Sequence, residues 1–129
     1  MVLGLFMKVL IIHRQKWLLQ KLKEKFISGG WHVHASDNGL DGLLTARHYP
    51  FDLVLCGFDL PVVSGTEIVR TIRMLSQNTK TPVFFLKSGS ESSPLIELVP
   101  QLQSRILDEA EFENISPVSW LANLPSSLN

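Results

Sequence analysis

At 129 residues the chain has the length of one ordinary domain, enough to bury about two thirds of its unfolded surface around a single core. Hydrophobic residues make up 45% and charged residues 19%, a globular composition that excludes a disordered tail. Twelve basic residues balance twelve acidic ones, so no net field draws in nucleic acid, and direct DNA binding is not expected.

Met1 to Phe6 is apolar but has no basic leader and runs at once into a strand-like segment, so neither a signal peptide nor a membrane span is expected. Residues 1–6 read as an N-terminal extension, residues 7–125 as the domain, and residues 126–129 as a tail or linker stub. Val9-Leu10-Ile11-Ile12 is apolar without alternation, as a strand covered on both faces of a parallel sheet must be. Leu18, Leu22 and Phe26, with Trp17, Leu19 and Ile27 beside them, follow helical spacing up to a left-handed stop at Gly29-Gly30. Trp31 to Ala35 alternates and predicts a second strand; Asp37 or Asn38 is placed to cap a helix running through Leu40, Leu43, Leu44 and Arg47.

Leu53-Val54-Leu55-Cys56 is a second continuous apolar run and the expected central strand. Ser64 with Glu67 makes a capping-box pattern ahead of Ile68, Val69, Ile72 and Leu75. Pro82 to Leu86 predicts strand four, Leu95 to Leu102 a fourth helix despite Pro100, Ile106-Leu107 a short fifth strand, and Val118 to Leu124 a fifth helix. Alternating strands and helices imply an α/β sandwich of three layers, with a parallel sheet between helices. For five strands the expected order is 2-1-3-4-5, the flavodoxin-like arrangement, whose chemistry sits beyond the carboxyl ends of the strands.

Three spaced blocks carry a resemblance: Met7 to Ile12, Asp52-Leu53-Val54-Leu55 leading to Leu60-Pro61 and Gly65, and Thr81-Pro82-Val83. Across about residues 7 to 110 the chain resembles the receiver domains of two-component response regulators. That resemblance implies a magnesium-binding acidic pair after the first strand, where this chain has His13 and Arg14. It implies a phosphate-accepting aspartate at the end of the third strand, where this chain has Gly57. The family's Thr or Ser after strand four falls at Lys87, next to Ser88, and its Lys-Pro after strand five falls near Asp108-Glu109. Phosphoryl transfer to a carboxylate needs the carboxylate and a cation to offset phosphoryl charge. Gly57 supplies no nucleophile, and an imidazole with a guanidinium does not replace two anionic metal ligands.

The expectation is therefore a degenerate pocket of His13, Arg14, Gly57, Asp59, Lys87 and Ser88, with Asp59 pairing Arg14 or Lys87 and so fixing its loop. The resemblance further implies a module that signals by protein contacts, without enzymatic activity or cofactor, and the single Cys56 fits a cytoplasmic location. A protein partner or a second copy is expected, not a membrane or DNA. Arg105, Asp108, Glu109, Glu111 and Glu113 form the candidate contact surface, and the basic front of the chain, Arg14 to Lys25, offers a complementary charge. The alternative is a sensor of a small anion or nucleotide, held by His13, Arg14 and Lys87 beside Gly57. Cys56, the single cysteine, reads as a reduced core thiol. His32 and His34 share a face but lack the further ligands a zinc site needs, and Trp17, Trp31 and Trp120 read as packing residues.

Overall fold

In the computed structural model, which describes residues 7–88 and 94–112, the apolar runs become strands β1 (Lys8–Ile12), β2 (His32–Ser36), β3 (Leu53–Gly57), β4 (Val83–Lys87) and β5 (Arg105–Asp108). All four ladders are parallel and the order is β2-β1-β3-β4-β5, as expected. Helices α1 (Lys16–Ser28), α2 (Gly39–His48) and α3 (Gly65–Leu75) fill the first three connections, and a single turn, α4 (Glu109–Phe112), follows β5.

The sheet is buried on both sides because its strands divide their side chains by the two-residue period of extended backbone. Val9, Ile11, Leu53 and Leu55 face α1, packing with Leu18, Leu22, Phe26 and Trp31. Leu10, Ile12, Val54 and Cys56 face the other way, onto Ala46 of α2 and Ile68, Val69 and Ile72 of α3. Each fully buried leucine or isoleucine in these layers contributes about 2 kcal/mol. Burial also pushes the Cys56 thiol up to about 12, so it stays protonated.

The helix ends follow the sequence signals. Asn38 Oδ1 accepts from the backbone N–H groups of Leu40 and Asp41 at 2.8 and 3.2 Å, and Ser64 Oγ accepts from Glu67 N at 3.3 Å. Of the two glycines after α1, Gly30 is the one in the left-handed region, at φ 89°.

The structure corrects the sequence reading in some places and adds to it in others. Leu95 to Leu102 is not an α-helix but two 3-10 segments, Pro94–Leu98 and Pro100–Leu102. Pro100 has no N–H to give to Ile96; Val99 N donates to Ile96 O instead, closing the tighter turn. Trp17 and Ile27 are exposed on α1, whereas Trp31 is buried against the edge of Phe26. Leu75 at the end of α3 is exposed. On α2 the buried residues are Gly39, Gly42 and Ala46, and Leu40 and Leu44 point out. The fifth helix, Trp120 and both chain ends lie outside the described residues.

Two polar side chains with no sequence signature join the elements. Asn78 is buried; its amide donates to Ala46 O and Tyr49 O, at 2.7 and 2.9 Å, and its carbonyl accepts from Phe51 N at 2.7 Å. It thereby satisfies the end of α2 and the approach to β3. Half-buried Arg73 donates to five backbone carbonyls, those of Asn78, Thr79, Thr81, Leu102 and Gln103. Burial lowers its pKa, and those carbonyls stand in for lost water.

Candidate functional site

The parallel register sets Ile12 beside Cys56, Gly57 beside Leu86, and Lys87 beside Asp108. His13, Gly57, Lys87 and Ser88 therefore leave the sheet along one edge, as the topology requires. The loop from β3 to α3 crosses this edge with Phe58 and Leu60 turned in and Asp59 turned out. Phe58 stacks on Phe85, with centroids 4.7 Å apart and planes 14° apart, which anchors the loop from below.

Glycine is required at the end of that loop. A β-carbon on Gly65 would stand 1.8 Å from Gly57 O, and Gly65 N donates to Phe58 O at 2.9 Å, so α3 begins hard against the end of β3. Between them, Val63 N donates to Pro61 O at 2.8 Å across Val62, whose φ is 73°. Such a three-residue turn is strained for a β-branched residue, and Val62 is 98% exposed.

The imidazole of His13 covers Gly57. A β-carbon at position 57 would lie 3.0 Å from His13 Cδ2 and 3.6 Å from Cγ and Nε2, so the ring occupies the space a side chain there would enter. Its Nδ1 accepts from Gln15 N at 3.0 Å, just ahead of α1. Burial, and then the adjacent Arg14 guanidinium, pull the pKa of His13 down to about 4. At neutral pH the ring is therefore uncharged.

The two cations of the edge are each paired. Arg14 Nη1 donates to Asp59 Oδ2 at 2.5 Å, joining the loop after β1 to the loop after β3. Lys87 Nζ lies 3.6 Å from Asp108 Oδ1, joining the ends of β4 and β5. Of the two partners expected for Asp59, Arg14 takes it. Asp108, expected on the outer contact surface, faces Lys87. The remainder of that surface divides: Arg105 and Glu111 are exposed, Glu109 opens α4, and Glu113 lies outside the described residues.

At this edge the Asp59 carboxylate is held by Arg14, and position 13 offers an imidazole whose Nδ1 is engaged. Elsewhere, His34 Nε2 lies 3.2 Å from Thr45 Oγ1 and 3.5 Å from Asp41 Oδ2, tying β2 to α2. Among the described residues no group of three or more His, Cys, Asp or Glu side chains is arranged to hold a metal ion. No helix among them is long and apolar enough to cross a membrane.

No family model matches the chain. Its sequence is 33% identical over 85 residues to the cell cycle transcriptional regulator CtrA of Caulobacter vibrioides, covering 66% of this chain and 36% of that protein. The chain thus spans about a third of the length of the curated relatives it matches. Among solved structures, the chemotaxis response regulator CheY4 of Vibrio cholerae superposes with a TM-score of 0.74 at 23% identity, over 92% of this chain and 95% of that one. A CheY-like receiver domain protein from Methanospirillum hungatei JF-1 superposes with a TM-score of 0.76 at 18% identity, over 95% and 94%. The chain has the same fold as these CheY-like receiver domains, and in sequence it is similar to response regulators.

Proposed function

We propose that the chain is an atypical receiver module of two-component-type signalling that takes no phosphate at position 57 and acts in the cytoplasm through protein contacts. The observation that carries the reading is the neutral His13 imidazole seated over Gly57. Phosphoryl transfer to a receiver needs a carboxylate nucleophile and a cation to hold the developing charge. Here the first is replaced by a hydrogen atom under an aromatic ring. In place of a metal, the Arg14 guanidinium bridges the two loops through Asp59. A fixed internal cation leaves the edge in one arrangement, so the output surface is set by folding and partner binding. The reading gives the chain no enzymatic activity and no cofactor. It places partner contact at Arg105 to Glu113, where Arg105 and Glu111 are exposed.

Anion or nucleotide sensing ranks second, because such a ligand has to displace Asp59 from Arg14 and Asp108 from Lys87. The test is incubation with acetyl phosphate and magnesium followed by intact-protein mass spectrometry. The expected result is an unmodified chain. A stoichiometric, acid-labile adduct that depends on magnesium overturns the proposal.

A further inference from the structure

α2 carries two of its three leucines on the outside. Its fully buried residues are Gly39, Gly42 and Ala46, with Leu43 half-buried against the core, and a β-carbon on Gly42 would stand 2.4 Å from Ile12 Cδ1, so the helix lies close on the sheet. Leu40 and Leu44, one turn apart and adjacent on the outer surface, are 53% and 45% exposed. One exposed leucine is ordinary. Two in line on a helix whose fully buried residues are only glycine and alanine depart from the usual amphipathic order of a surface helix.

The charges beside that stripe identify what covers it. Asp41 lies in the first turn of α2, and Arg47 and His48 lie in the last; all three are exposed. Asp41 reaches His34 with Oδ2 while 56% of its side chain remains accessible. The outer face therefore runs from acidic to basic, and it is complementary to itself when reversed. Laying a second α2 antiparallel, with the two-fold axis at Leu44, sets Leu44 on Leu44 and Leu40 beside His48. It also brings Asp41 of each copy beside Arg47 of the other. Opposed helix dipoles add to the match, whereas a parallel pair stacks like charge on like.

We infer that α2 is a self-association surface whose occupant is a second copy of this chain, joined as an antiparallel, two-fold symmetric pair. Ten residues give about 15 Å of helix, so the interface falls in the small, concentration-dependent class. The inference does not depend on position 57: a dimer that forms on a chain able to take phosphate leaves it standing and removes the proposed function.

Sedimentation velocity on the 129-residue chain, from roughly 1 to 500 µM to bracket a weak dissociation constant, is the test. The weight-average mass is expected to rise from one chain toward two. Leu44→Glu, at an exposed position, is expected to keep its melting temperature and weaken association at least tenfold. Asp41→Lys and the double variant Arg47→Glu/His48→Glu are each expected to stay monomeric, and their equimolar mixture to associate again. Leu44→Cys is expected to oxidise to a covalent dimer, since the native thiol, Cys56, is buried. A wild-type chain that is monomeric throughout overturns the inference. So does a dimer that survives Leu44→Glu, or a charge-reversed mixture that fails to pair.

Discussion

His13 links acidity to folding. Its pKa falls from the ordinary 6.5 to about 4 on folding, so between those values the unfolded chain binds a proton that the native ring refuses. The stabilisation is fully present above pH 6.5 and is lost as the pH falls through 4. The ring is partly open to solvent, which reduces the loss to about 2 kcal/mol. Urea unfolding of the wild type and His13→Gln at a series of pH values should show the wild type losing that much more between pH 7 and 4; parallel curves would show that the ring does not resist protonation. That position 13 is not a carboxylate is plain from the chain itself. That its ring lies on Gly57 is not, because two residues 44 apart in sequence meet only through the register of β1 on β3.

Elements were legible where periodicity and caps agreed. β1, β3 and β4 are short apolar runs, and α1 and α3 have heavy inward stripes, so pattern and burial coincide. On α2 the spacing of Leu40, Leu43 and Leu44 gave the helix but not its face, because the fully buried contacts with the sheet are made by Gly39, Gly42 and Ala46, and only Leu43 of the leucines packs against the core. The segment from Leu95 to Leu102 has helical spacing, but spacing does not register the hydrogen bond that Pro100 removes. Asn78 was silent, since a polar residue in a Gln-Asn-Thr turn looks like any other turn. It joins three elements, so Asn78→Ala strands Phe51 N and Ala46 O in the interior and should cost about 3 kcal/mol by chemical denaturation. Asn78→Asp should also destabilise, having lost the amide that donates to Ala46 O. A loss under about 1 kcal/mol for both would mean that water replaces the side chain at no penalty.

For the molecule as a whole, the edge charges organise more than they stabilise. Arg14 and Asp59 are both well exposed, and such pairs contribute roughly 0 to 1 kcal/mol. Arg14→Ala should therefore leave the unfolding midpoint nearly unchanged while speeding amide exchange over residues 57–65, which the bridge ties to the start of α1. Unchanged protection there would remove the guanidinium from any part in fixing the loop. The topology could be read from the chain alone; which cation meets which carboxylate could not, because Arg14 and Lys87 lie at the same ends of the two strands that flank β3. The seating of His13 also limits what residue 57 can become: a β-carbon there would stand 3.0 Å from the imidazole, so any larger side chain has to push the ring aside, and a tolerant substitution at 57 needs a smaller neighbour at 13.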